Sequence, residues 1–183
     1  MPNYRRAFVS GGTFFFTVAT HQRRAFLTTP LARSCLRNSF RLVRERLPLA
    51  IEAIVLLPDH LHCVWSLPPG DSDYPDRWRQ IKSLFTREYL SRGGSEAGTS
   101  LSRALHGERG IWQRRYYEHT VRDELDLKRC VDYLHLNPVK HRLVERVSNW
   151  PWSSFHRYVR LGEYSADWGG SSELFGDEWA RCE

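Results

Sequence analysis

Cysteine is scarce and scattered in this chain. Cys35, Cys63, Cys130 and Cys182 stand far apart and form no CxxC pair. That spacing excludes a zinc knuckle and argues against a disulfide framework. No apolar run approaches the roughly 20 residues that a membrane span needs, so no membrane partner is expected. The opening residues, Met1 to Arg6, lack the apolar core of a signal peptide, and a cytoplasmic protein is expected. No internal repeat is present. Acids are nearly missing from residues 1–50, where nine arginines face Glu45 alone, a net of +8. Residues 163–183 reverse the balance, with six acids and one arginine, a net of −5. A basic front suggests a polyanionic partner, although a solvated basic face has the same composition. What is present in quantity is hydrophobic residue, 41% of 183 positions, enough for one packed domain. The expected division is a domain over 1–162 and an acidic tail over 163–183. That tail either folds over the basic surface and competes with a polyanion or simply solvates.

The pattern along the chain predicts an α+β fold. Thr13 to Thr20 is aromatic and β-branched behind Gly11-Gly12 and reads as a strand. Pro30 opens a helix whose apolar stripe runs Leu31, Cys35, Leu36, Phe40, Val43, Leu47, with Arg33, Arg37, Arg41 and Arg44 opposite. Ile51–Leu57 and Leu61–Leu67 read as a hairpin turned by Pro58-Asp59. Pro75 to about Leu90 is a second amphipathic helix. Residues 91–110 are Gly/Ser-rich and predict a long loop. A short strand over Tyr116–Arg122 leads to a helix capped by Asp123 and halted at Asn137-Pro138. Strand, helix, strand, strand, helix, strand is the order of a ferredoxin-like antiparallel sheet with helices on one face. A C-terminal helix is added to it, and the other face is expected to be open.

Two places carry chemistry. His60 and His62 are two apart on a strand, so they share a face, while Leu61, Cys63 and Trp65 take the core side. Two imidazoles so spaced can hold one metal ion, and two packed histidines would satisfy the same spacing. On the last helix, Leu127, Cys130, Val131 and Leu134 form the core stripe. Tyr133 and Asn137 stack one turn apart at its edge, so a phenol and an amide oxygen reach one spot. A half-buried packing tyrosine and a helix-stop asparagine would look alike.

Several segments together are more specific. Tyr4-Arg-Arg, Gly11 to Val18, Leu57-Pro-Asp-His-Leu-His-Cys-Val-Trp65, Trp112-Gln113, Tyr133-Leu-His-Leu-Asn-Pro-Val-Lys-His141 and Asn149-Trp-Pro-Trp-Ser-Ser-Phe155 resemble the repeat-associated tyrosine transposases. These belong to the HUH single-tyrosine class, and the resemblance runs in order from residue 4 to about 168. It implies the ferredoxin-like sheet with a trailing catalytic helix, His60 and His62 as metal ligands and Tyr133 as the nucleophile. Many members carry a Gln as third ligand where this chain has Asn137, whose carbonyl sits on a shorter arm. It further implies a single-stranded DNA substrate with a palindromic hairpin and an adjacent tetranucleotide.

The expected reaction is attack by Tyr133 on a phosphodiester, giving a 5′-phosphotyrosine and a 3′-OH that can later reverse the step. Mg2+ or Mn2+ suits two imidazoles and an amide oxygen, while Zn2+ is disfavoured there because no thiolate or third histidine is in register. Arg5, Arg6, Arg114, Arg115, Lys140 and Arg142 are candidate phosphate contacts. Trp112 is a candidate base-stacking residue, as are Tyr116 and Tyr117, for which core packing is the competing reading. The short link at Arg122-Asp123 suggests a helix that packs on its own subunit, hence a monomer. Two alternatives stay open, a hairpin-binding protein that does not cleave and a nuclease that uses water.

Overall fold

A computed structural model describes residues 8–169 apart from His106. Arg5, Arg6 and the tail beyond Gly169 therefore lie outside the described residues. Four strands form one antiparallel sheet in the order β2-β3-β1-β4: β1 Thr13–Ala19, β2 Ala50–Leu56, β3 His60–Ser66 and β4 Tyr117–Thr120. The helices are α1 Pro30–Arg46, α2 Tyr74–Ser91, α3 Leu101–Leu105, α4 Glu124–Lys140 and α5 Phe155–Arg160. No helix among the described residues is long and apolar enough to cross a membrane.

The helix starts follow from capping. Thr29 accepts from the Ala32 N–H ahead of Pro30, and Asp73 accepts from the Asp76 N–H at 3.0 Å. The sheet buries both faces. Phe14, Phe16, Val18, Leu61, Cys63 and Trp65 pack under α1 and α2, with Trp65 and Trp78 stacked at 4.3 Å. Phe15, Val55, Leu57 and Val64 pack on the other side against Cys130, Val131, Tyr133 and Leu134 of α4. The three consecutive phenylalanines of β1 thus serve two cores, because strand side chains alternate.

Four expectations change. The second face of the sheet is covered by α4 instead of open. The last helix does not stop at Leu136: it runs through Asn137 and Pro138 to Lys140. Pro138 sits in the final turn, where one lost N–H is tolerable because tertiary packing holds the helix on both flanks. The packed unit also continues past residue 162. Tyr164 and Trp168 stack on each other at 4.3 Å, and Trp168 stacks on Phe155 at 6.1 Å. In the 91–110 segment, α3 and an Ala97–Gly110 bridge replace the structureless loop. A Cβ at Gly110 would come within 2.0 Å of the Ala97 carbonyl oxygen, so only glycine closes this bridge.

The end of α4 has a defined motif. The Leu143 N–H bonds the Pro138 carbonyl and the Arg142 N–H bonds the Val139 carbonyl, both at 2.9 Å. Arg142 takes φ of 56° to make this Schellman turn, a conformation that glycine adopts without strain. Arg142→Gly is expected to stabilise the fold by about 1 kcal/mol in urea unfolding. If the guanidinium touches phosphate, the same variant binds DNA more weakly and its salt slope falls by about 1. A loss of stability would show that the side chain, not the turn, holds this end.

His135 lies on the other flank of α4, as the helical spacing predicts. It is fully buried among Phe155, Tyr158 and Tyr164, with Nε2 2.8 Å from Ser154 Oγ. Burial, reinforced by the positive charges of Arg157 and His156, pushes its pKa down to about 3. The unfolded chain therefore takes up a proton near pH 6.5 that the folded protein refuses. Stability is complete above about pH 6.5 and falls by about 1.4 kcal/mol per pH unit from there towards pH 3. Urea unfolding at pH 7 and pH 5 should differ by about 2 kcal/mol from this group, and His135→Asn should narrow the measured difference by about that amount. Equal stabilities at the two pH values would refute the assignment.

Candidate metal and nucleophile site

β3 turns His60 and His62 towards α4 and buries both, to 2% and 0% exposure. Each ring is held through Nδ1. Asp59 Oδ1 lies 2.7 Å from Nδ1 of His60, and Thr17 Oγ1 lies 2.9 Å from Nδ1 of His62. Thr17 is placed by register, opposite His62 on β1. With Nδ1 engaged, Nε2 is the ligating atom left on each ring, and a carboxylate or hydroxyl behind a histidine is a common second tier in metal sites. The two rings sit 4.8 Å apart, nearly perpendicular.

α4 brings Tyr133 and Asn137 against them. The Tyr133 ring is 5.5 Å from His62, and Phe15 touches both rings, at 5.9 and 5.5 Å. Asn137 donates through Nδ2 to the Tyr133 carbonyl at 3.3 Å, which leaves its Oδ1 as an acceptor. Oδ1 of Asn137 and Nε2 of His62 are both buried, and neither has a hydrogen-bond partner of good geometry. Each such atom costs about 1–3 kcal/mol. A divalent cation would satisfy both, so this donor set fits one.

The electrostatics agree. Burial pushes the His62 pKa well below the usual imidazole range, and electrostatic interaction with the neighbouring His60, His141 and Lys140 side chains adds to this. The nearby Asn137 amide opposes the shift without reversing it. A neutral imidazole keeps its lone pair for a metal. Burial resists ionisation of Asp59, but hydrogen bonding and charge from His60, with help from Arg23, hold its carboxyl below the usual range.

Other predicted residues fall in different places. Lys140 joins the site: its Nζ is 3.4 Å from the Tyr133 hydroxyl and 5.0 Å from the ring centroid. His141, which the strand and helix patterns did not single out, packs 5.2 Å from His60. Its sequence signals were its position one turn beyond Asn137 and its place at the end of the Tyr133–His141 segment. Asp59 and Thr17 were also missed. Asp59 adjoins His60 in sequence, whereas Thr17 is found only once the strands are registered. Trp112 is 6% exposed and packs edge-on against Phe85 at 4.9 Å, which favours a core role over base stacking. Tyr116 packs on Phe16 and Trp78, and Tyr117 packs on Phe15, so both serve the cores. Arg114, Arg115 and Arg142 are exposed, with Arg114 paired to Glu108 at 2.8 Å. A further set of donor atoms, on His119, Asp126 and Cys130, lies between β4 and the first turns of α4.

Residues 9–137 match the family described as Transposase IS200 like. The chain is 42% identical over 170 residues to the REP-associated tyrosine transposase of Escherichia coli K12, covering 93% of this chain and 92% of that one. It is 41% identical over 175 residues to a putative REP-associated tyrosine transposase of Haemophilus influenzae Rd, covering 95% and 97%. A solved structure of a REP-associated tyrosine transposase bound to a REP hairpin superposes with a TM-score of 0.77 at 41% identity, covering 96% of each chain.

Proposed function

Because the chain belongs to the REP-associated tyrosine transposases of the IS200-like family, we propose that it cleaves and rejoins hairpin-bearing single-stranded DNA through Tyr133. The observation that carries this reading is the approach of Tyr133 to His62, 5.5 Å between rings, within one chain. Both parts of the site come from the same subunit, which supports a monomer.

Tyr133 Oη attacks the phosphorus of the scissile phosphodiester. A P–O bond to the phenol forms and the bond to the 3′ oxygen breaks. One strand end becomes a 5′-phosphotyrosine and the other a free 3′-OH. The phosphotyrosine conserves the ester, so a later 3′-OH can attack it and reseal a strand without ATP. Tyr133 is 3% exposed, so the scissile phosphate reaches it as neighbouring side chains move aside. Lys140 donates towards the phenol oxygen and puts a positive charge where the anionic phosphate arrives. His60, His62 and Asn137 would hold Mg2+ or Mn2+. Such an ion supplies Lewis-acid stabilisation of charge on the phosphoryl and leaving oxygens.

The DNA partner in this reading is a hairpin, by analogy with the relative bound to a REP hairpin, and the adjacent tetranucleotide rests on the sequence resemblance alone. Exposed Arg114, Arg115 and Arg142 are the described phosphate contacts in this reading, and Arg5 and Arg6 are further ones outside the described residues. The test is to incubate end-labelled hairpin DNA with protein and Mn2+ and resolve the products on a denaturing gel. A protease-sensitive covalent protein–DNA band is expected. Binding with no such band would leave a hairpin-recognition protein that does not cleave.

A further inference from the structure

Away from the catalytic histidines, β4 and α4 bring together three donors that strand cleavage does not use. His119 lies on β4, and Asp126 and Cys130 lie one turn apart on α4. One donor atom from each, all three mutually within 4.8 Å, could share an ion. Asp126 and Cys130 are buried, His119 is half-buried, and Cys130 is not in a disulfide.

The two oxygens of Asp126 are treated differently. Oδ2 accepts from the Arg122 backbone N–H at 3.0 Å, from Arg122 Nε at 3.1 Å and from His119 at 2.9 Å. Oδ1 meets only Nε2 of His119, at 3.1 Å. Arg122 therefore orients the carboxylate from behind and leaves its other oxygen to the cluster, as an outer partner does for a ligating carboxylate. Burial resists ionisation of Asp126, but the bonds from Arg122 and His119 outweigh it and hold the carboxyl below its usual range.

We propose that His119, Asp126 and Cys130 form a second metal site, selective for a thiophilic divalent ion and above all Zn2+, that ties β4 to the helix bearing Tyr133. One nitrogen, one oxygen and one sulfur suit tetrahedral Zn2+ with water as the fourth ligand. Donors around such an ion stand about 3.5 Å apart, so side-chain shifts of about 1 Å close the set. On binding, the Cys130 thiol gives its proton to solvent, a Zn–S bond forms, and His119 carries its ring proton on Nδ1 so that Nε2 can ligate. The site at His60 and His62 contains no sulfur, so the two sites select different ions.

The experiment uses the full chain, reduced and freed of metal, titrated with Co2+. A thiolate-to-cobalt charge-transfer absorption in the near ultraviolet is expected, saturating at one equivalent and removed by Zn2+. Cys130→Ser should abolish it, and His62→Ala should retain it, because that site has no sulfur. His119→Gln, at a half-exposed position that folding tolerates, should weaken Co2+ binding at least about tenfold. Zn2+ at about 100 times its Kd should raise Tm by about 5–10 °C in the wild type and not in Cys130→Ser. No absorption in the wild type, or an absorption that survives Cys130→Ser or disappears in His62→Ala, would overturn the proposal.

Discussion

Tyr133→Phe will bind hairpin DNA as the wild type does and will form no covalent adduct. The substitution removes one oxygen and keeps the ring. The packing on Phe15 and His62 is therefore preserved, and the 3.4 Å contact from Lys140 is lost. The stability cost is that of one hydrogen bond, about 1 kcal/mol, so the variant folds. Cleavage should fall by about 10⁴-fold or more, since the other hydroxyl in the cluster, on Thr17, is engaged at Nδ1 of His62. The outcome separates two chemistries that share every other residue. Nicking that survives Tyr133→Phe means that water attacks, and the strand-rejoining account fails, because hydrolysis leaves no ester to reverse.

The second large effect concerns the ion. His62→Ala should lower Mn2+-stimulated adduct formation by about 10³-fold, with Asp59→Asn as its graded companion. His62 offers a neutral, fully buried nitrogen beside the Asn137 oxygen, so its loss removes a ligand. It also empties a volume behind Phe15 and strands Thr17, at a cost of about 2–4 kcal/mol in stability. That cost makes the variant alone ambiguous. Asp59 only orients His60 from outside, 2.7 Å from Nδ1. Asp59→Asn keeps the shape and should raise the Mn2+ needed for half-maximal rate by about 10–100-fold, with the maximal rate recovered at high Mn2+. A Mn2+ midpoint unchanged in Asp59→Asn would mean that the histidine pair is a packing feature.

Legibility differed from element to element for physical reasons. Period-two alternation was enough to place His60 and His62 together and Leu61, Cys63 and Trp65 apart from them, because a strand leaves side chains no third direction. Period 3.6 was enough to stack Tyr133 on Asn137 and to send His135 to the far flank. The end of α4 was misjudged because Asn-Pro ends helices by local preference, and packing on both flanks outweighs about 3 kcal/mol of local cost here. The burial of Trp112 was not legible because an aromatic among basic residues has the composition of a base-stacking patch, while its burial depends on α2 lying over it. The covered second face of the sheet was invisible for the same reason: the pattern shows which face of α4 is apolar, not which surface receives it.

By itself the sequence determined the local geometry of this protein: which residues are strands and helices, which side chains share a face, and that a phenol and two imidazoles are on offer. These follow from backbone periodicity, which acts within a few residues. Only the tertiary structure decided that both imidazoles are buried, that burial holds the one on His62 neutral, that Thr17, Lys140 and His141 join them, and that His119 reaches Asp126 and Cys130. Those contacts span 7 to 81 residues of chain, and they form only when hydrophobic burial on both faces of one sheet brings its strands into register and α4 down onto them.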